Sequence, residues 1–297
     1  MYDKKYCYPD SDVLINKFNI RDKEKLNSLE REFTFYNVVK LNKNPIKGDF
    51  DIKHLKNIHY ELFKEIYNWA GELRTVDIEK GYRFCSSDYI EEYSKDIFKD
   101  IKKNNFLIDF PREKAIKKLA EYMGDINAVH PFREGNGRTQ RTFISNLANV
   151  SGFDIAFSNI SKDEMLEASI SSFSCNYEKF EELFTINSRP LSIDEQEKFI
   201  KNISNNIYNL FDNFRVKNKN IDRENEFYLT KNLKYFTIDF FEIDSFIKQA
   251  SKYNIPFSVL KELNIYKIVF PESHTDKIKS IMGQDKIRNT DIKNKER

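Results

Sequence analysis

Nowhere in its 297 residues does the chain carry an apolar run long enough to cross a bilayer, so a membrane-spanning helix is not expected. It opens Met1-Tyr2-Asp3-Lys4-Lys5 with no apolar stretch behind these charges, and no secretory leader is expected either. The three cysteines, Cys7, Cys85 and Cys175, are odd in number and lack any motif spacing, which fits a reducing compartment. An excess of one charge is missing as well. Lys and Arg total 49 against 47 Asp and Glu, a net charge of +2, so electrostatics give no case for nucleic acid or a membrane as a direct partner. No P-loop and no dinucleotide fingerprint occurs. The expected location is the cytoplasm, with export the alternative.

What is present is helical periodicity. Apolar residues recur at three- and four-residue steps over 22–41, 52–68, 88–104, 112–128, 139–151, 162–171 and 177–187, with breaks at Pro45, Gly48, Pro111, Pro131 and Pro190. After Arg189-Pro190 the character changes. A helix is expected over 194–213, a polar linker over 218–225, short helices over 243–252 and 258–263, and a strand over 266–270. The aromatic-rich run 232–244 reads equally as strand or helix. The domains expected are therefore a main one over 1–189, an accessory module over 190–282, and a disordered, charged tail over 283–297.

The densest chemistry lies in His130-Pro131-Phe132-Arg133-Glu134-Gly135-Asn136-Gly137-Arg138-Thr139-Gln140-Arg141, a loop between two helical patterns. Gly135 and Gly137 flank Asn136, so the backbone can take positive φ and aim successive N–H groups at one point where the next helix starts. Such a nest at a helix N-terminus binds phosphate. Arg138 and Arg141, three apart, leave one helix face and can grip further phosphate oxygens, which suits a triphosphate. Glu134 at the mouth would repel phosphate unless a cation lay between, and this implies Mg²⁺. His130, set before Pro131, overhangs the nest, and its ordinary pKa near ~6.5 lets it take a proton from a hydroxyl. Phe132 reads as core.

These twelve residues resemble the signature of the Fic domain family, His-Pro-Phe-x-(Asp/Glu)-Gly-Asn-Gly-Arg-x-x-Arg, with every specified position filled. Further likeness lies in Phe50-Asp51, His54-Leu55, Ile58-His59, Leu62-Phe63, Ile66-Tyr67, Trp69-Ala70-Gly71-Glu72 and Arg74-Thr75. The resemblance implies a mainly α fold, a Fic-type helical bundle with a β-hairpin flap, here followed by a small C-terminal α or α+β appendage. It implies transfer of AMP from ATP to a Ser, Thr or Tyr hydroxyl of a target protein. His130 would be the general base, Glu134 the Mg²⁺ ligand, Gly135, Asn136 and Gly137 the anion hole, and Arg138 and Arg141 the distal-phosphate cations. The flap would run over 76–87, where Lys80, Gly81, Tyr82 and Arg83 are candidates for binding the nucleotide and for docking the target by strand addition. His54 and His59, five apart, lack zinc-pair spacing and read as structural.

Members of the family restrained internally carry (Ser/Thr)-x-x-x-Glu-(Gly/Asn). Ser28/Glu32, Ser174/Glu178 and Ser258/Glu262 have the spacing, but Phe33, Lys179 and Leu263 follow them. The expected regulator is a separate small antitoxin, and the leading reading is a toxin or effector. Two alternatives are a Fic-fold transferase using a different nucleotide donor and a nucleotide-binding regulatory protein without turnover.

Overall fold

A computed structural model describes residues 5–79, 81, 83–108, 110–215, 233–239, 243–253, 258–262, 265–271 and 274–282. The chain divides into two compact units, Met1–Asn213 and Phe214–Arg297.

The first unit is helical. Its elements are α1 (Lys23–Lys43), α2 (Ile52–Phe63), α3 (Ile90–Lys103), α4 (Arg112–Val129), α5 (Asn136–Val150), β1 (Phe153–Ile155), α6 (Lys162–Ser172), α7 (Glu178–Ile186), β2 (Ser188–Pro190), α8 (Ile193–Ile203) and most of α9 (205–215), whose last two residues fall past the boundary. Each start has a local cause. Asp22 and Asp51 accept the N–H groups of Lys25 and His54, and Ser161 and Ser192 form capping boxes with Glu164 and Glu195. α2 ends at Phe63, five residues short of the expected 68, because the chain turns there toward Gly71, whose φ is +81°.

The centre is α5. Ten of its fifteen residues are buried, so it is wrapped on nearly all sides, packing on α2, α4, β1 and α8. Phe143, Ile144, Leu147 and Ala148 are fully buried there, with Ile58, Leu62 and Phe63 of α2 and Leu119 and Ala120 of α4. β1 and β2 form a short antiparallel pair, Phe153 opposite Pro190 and Ile155 opposite Ser188.

The expected boundary at 189/190 falls inside this unit. Ile200 and Ile203 of α8 and Ile207 and Phe211 of α9 are buried in the same core as α5. Polar ties reinforce the docking. Gly48 N–H donates to the Ile203 carbonyl (3.0 Å), Gln196 Nε2 donates to the Val150 carbonyl (2.8 Å), and Asp49 accepts from Ser204 and from Asn206 (3.0 Å). The change at Pro190 is therefore a turn between packed elements.

The second unit holds β3 (Leu233–Asp239), α10 (Ile243–Lys252), β4 (Ser258–Glu262), β5 (Ile265–Pro271) and α11 (Thr275–Met282). The sheet order is β3-β5-β4, antiparallel throughout, and Ile243, Phe246, Ala250, Ile268, Phe270 and Ile278 form its own core. The expected helix at 258–263 is instead β4. Pairing with β5 satisfies its backbone, and this tertiary partner overrides the helix preference of Leu260, Lys261 and Glu262. Within the run 232–244, residues 233–239 form β3 and α10 begins at Ile243. The expected linker 218–225 and tail 283–297 lie outside the described residues.

Ile203→Ala should lower unfolding free energy by about 2–4 kcal/mol, as for other buried large-to-small changes, measured by urea titration of the whole chain. A fragment 1–213 should melt cooperatively, whereas a fragment 1–190 should aggregate because it uncovers the surface that α8 and α9 bury.

Candidate active site

The site is built where α4 stops and α5 starts. α4 ends at His130, whose backbone is left-handed (φ 47°, ψ 61°) while its N–H still reaches the Ile126 carbonyl at 3.0 Å. A non-glycine residue there carries strain of about 1–2 kcal/mol. Arg74 holds it. This guanidinium is 1% exposed, and it donates to the carbonyls of His130 (2.8 Å), Val129 (3.2 Å), Val76 (2.8 Å) and Cys85. Its backbone N–H adds a bond to the Pro131 carbonyl (2.9 Å). The last carbonyls of a helix lack internal partners and carry its negative dipole end, so a buried cation there answers both needs. Because Val76 and Cys85 bracket the flap, one side chain ties the flap to the loop between α4 and α5. Cys85 N–H, donating to the Ala128 carbonyl (3.0 Å), closes the same seam.

Past the turn, Asn136 accepts from Phe132 N–H (2.9 Å) and donates to the Phe132 carbonyl (2.6 Å), so its side chain closes the loop on itself. Gly135 takes φ +81°, and a Cβ there would stand 2.2 Å from Phe63 Cζ. Gly137 differs from expectation: it lies within the first turn of α5, and only Gly135 of the two uses positive φ. The sharp reversal is completed before the helix begins, so Gly137 has no turn left to make.

Two histidines flank the loop with different jobs. His59 Nδ1 accepts from Gly71 N–H (2.8 Å), so Nε2 bears the proton and donates to the Glu134 carbonyl (3.0 Å). Its ring stacks on Phe132 at 3.9 Å and 10°, and burial pushes its pKa down to about 3. His54 is likewise structural. It accepts from Phe50 N–H (3.3 Å) and meets the Ile46 carbonyl (3.0 Å), with its pKa pushed down by burial to about 4. His130 Nδ1 faces the Asn127 carbonyl at 3.3 Å, which places the proton on Nδ1 and makes Nε2 the acceptor, the nitrogen a general base needs. Its ring stacks on Phe84 of the flap at 3.8 Å.

Beside the loop opens a cleft of about 1120 Å³. Six cationic side chains line it (Lys23, Arg31, Arg133, Arg138, Arg141, Lys162) against three carboxylates (Asp12, Glu30, Glu134), so its field favours an anion. Arg138 is ion-paired with Glu30 and donates to Thr34 Oγ1 (3.0 Å), its guanidinium 4.9 Å from the Phe63 ring. Arg141, half-buried, has no hydrogen-bond or ion-pair partner among the described residues; desolvation, then Arg138, lowers its pKa. Glu134 Oε1 accepts from Gly135 N–H (3.1 Å). No cluster of three His, Cys, Asp or Glu side chains with metal-holding geometry occurs among the described residues. A divalent ion here would need Glu134 together with oxygens of a ligand, and the donor chemistry fits a hard cation.

Not every expected residue reaches this cleft. His130, Gly135, Asn136 and Gly137 shape the loop but do not line it. The flap bends at Gly81 (φ +78°), and among the described residues one bridge, Glu79 to Arg83, closes it. Arg83 pairs with Asp77 (3.2 Å) and lines a separate groove of about 570 Å³ against Tyr89, Tyr93 and Phe173. Gly81 lines neither cavity, and Lys80 and Tyr82 lie outside the described residues.

Glu30, Thr34, Tyr67 and Arg74 were missed as functional residues. A signal existed for two of them: the buried stripe of α1 reads Leu26, Glu30, Thr34, Asn37, Leu41, polar at three of five positions where a core stripe is apolar.

Two outcomes test this geometry. Arg74→Lys, which cannot span the carbonyls at the two ends of the flap and on the loop, should cost about 2–4 kcal/mol and bring the first site of limited proteolysis into 76–87. His54 and His59 have folded pKa values below the unfolded ~6.5, so their stabilisation is complete above that pH and is lost as pH falls toward 4 and 3. Unfolding near pH 5 should therefore take up close to two protons through these groups, and His59→Gln should remove about one of them in a plot of stability against pH.

The Fic/DOC family pattern matches residues 49–148. The chain is 36% identical over 192 residues to protein adenylyltransferase VbhT of Bartonella schoenbuchensis, covering 62% of this chain and 40% of VbhT. It is 34% identical to the Fic protein of Escherichia coli K12, which is named a probable protein adenylyltransferase, over 55% of this chain and 81% of that one. Among solved structures, the N-terminal Fic domain of a VirB-translocated Bep effector from Bartonella quintana with bound ADP superposes with TM-score 0.60 at 31% identity, covering 63% of this chain and 95% of that one. BepC from Bartonella tribocorum with bound AMPPNP superposes equally well at 27% identity, over 63% and 97%. This chain thus spans well under half of VbhT but nearly all of each solved domain. It belongs to the Fic/DOC family.

Proposed function

We propose that the protein moves AMP from ATP to a Ser, Thr or Tyr hydroxyl of a target protein. The observation that carries this is Arg141, a half-buried guanidinium without a partner among the described residues, in a cationic cleft beside a histidine whose Nε2 is an acceptor. Burying a cation is unfavourable unless an anion completes it. The α5 N-terminus, at Asn136 and Gly137 beside the cleft, adds its positive dipole end and backbone N–H groups for the same anion, while the Gly135 N–H is held by Glu134 Oε1. The ADP- and AMPPNP-bound relatives support a nucleotide as that ligand.

His130 Nε2 takes the proton as the acceptor oxygen bonds to the α-phosphorus. The α–β phosphoanhydride bond breaks and pyrophosphate leaves, its charge met by Arg141 and by the N-terminal dipole of α5. Glu134 would hold Mg²⁺ with phosphate oxygens, and the ion supplies neutralisation of phosphate charge. The flap edge around Gly81 and Arg83, with Lys80 and Tyr82, receives the target segment by strand addition. The absence of a complete inhibitory pattern supports restraint by a separate small antitoxin, and the role of toxin or exported effector belongs to the same reading. Among the described residues no helix is long and apolar enough to cross a membrane.

His130→Ala should abolish transfer while leaving ATP affinity within about threefold, because the base acts on the hydroxyl and the arginines and loop amides hold the nucleotide. Labelled α-phosphate ATP with lysate measures transfer, and calorimetry measures binding. Equal labelling by the variant would remove the base role. Label arriving from another nucleotide but not ATP would change the donor.

A further inference from the structure

The two motif arginines are three residues apart on one face of α5, yet the structure treats them differently. Arg138 is already neutralised. Its Nη2 meets one oxygen of Glu30, its Nη1 donates to Thr34 Oγ1 at 3.0 Å, and the Phe63 ring lies 4.9 Å from its guanidinium. Glu30 is 8% exposed, and its other oxygen accepts the Tyr67 hydroxyl at 2.5 Å. Tyr67 is itself 1% exposed and stacked on Trp69 at 4.3 Å, so the carboxylate is anchored from behind. Glu32, at the inhibitory spacing from Ser28, is exposed and makes no ion pair with Arg141. The Glu30 contact is thus on a different residue and a different arginine.

We propose that Glu30 is a specificity-determining residue of the nucleotide site: its anchored carboxylate cancels the charge of Arg138 and leaves Arg141 as the cation that separates a triphosphate from a monophosphate. This rests on the reading of the cleft as a nucleoside triphosphate site. A distal phosphate near Arg138 meets an ion pair, whose attraction and repulsion largely offset one another. Near Arg141 it meets an uncompensated charge in a poorly screened setting. Moving Glu30 aside for phosphate would leave a buried carboxylate and a buried tyrosine hydroxyl without each other, so the pair resists exchange. The site therefore holds triphosphate less tightly than two free arginines would.

The test is calorimetry of the whole protein with Mg·ATP and with AMP. Glu30→Gln, which keeps shape and one acceptor oxygen, should tighten ATP about tenfold and leave AMP within about twofold. The double variant Glu30→Gln/Arg138→Gln should lose that gain, since the cation it unmasks is gone. Independently of whether Glu30→Gln folds, Arg141→Gln should weaken ATP several-fold more than Arg138→Gln. Tyr67→Phe keeps the charge and should hold the ATP-to-AMP affinity ratio within about threefold. Unchanged or weaker ATP binding by Glu30→Gln, or equal losses at the two arginines, overturns the proposal while the nucleotide reading stands. A wild-type protein that binds neither ATP nor AMP overturns the nucleotide reading itself.

Discussion

Four carbonyls on three separate segments converge on the buried guanidinium of Arg74, and the rest of the site depends on that convergence. Val129 and His130 end α4, Val76 opens the flap, and Cys85 closes it. A planar cation with donors pointing several ways can satisfy such a set, and a point charge on a flexible stem cannot. The pairing of helix end and flap base fixes where His130 stands, and Phe84, one residue before Cys85, is thereby brought onto its ring. The strained left-handed backbone of His130 is tolerable because three of its neighbours' carbonyls and its own are held from outside.

A second layer holds the loop from below without charge. His59, neutral and locked in one tautomer by Gly71, supports the Glu134 carbonyl and lies flat on Phe132, with Phe63 stacked at 4.8 Å. Phe63 also closes over Gly135 and touches the Arg138 guanidinium. One aromatic group of α2 thus enforces glycine at the turn and supports an arginine of the cleft. The apolar floor raises the strength of every charge above it, and this is why the contrast between paired Arg138 and Arg141, without a partner among the described residues, matters more than it would in water.

The chain beyond Pro190 splits between two roles. α8 and α9 complete the core around α5 through Ile200, Ile203, Ile207 and Phe211, while the segment from β3 onward builds a separate small α+β core around Phe246 and Phe270. The break in composition at Arg189-Pro190 marks the end of β2, and the physical boundary falls about two dozen residues later, at Asn213.

Local chemistry was legible in the amino acids. The twelve residues from His130 to Arg141 gather a histidine, a carboxylate, two glycines and two arginines in one contiguous run, and helical periodicity placed a helix on each side, as the structure shows with α4 and α5; the reading as AMP transfer came from the family resemblance and not from spacing. The second motif glycine was misjudged because spacing cannot say which of two glycines makes the turn. Ser258–Glu262 was misjudged because its partner strand, not its own side chains, decides its conformation. Glu30, Tyr67 and Arg74 lie 108, 71 and 56 residues from the motif positions they meet or flank, and no local pattern links residues so far apart. The sequence by itself determined which groups could do chemistry. Only tertiary packing decided which of those groups are already satisfied, because pairing a buried charge or carbonyl depends on what the fold brings within about 3 Å of it.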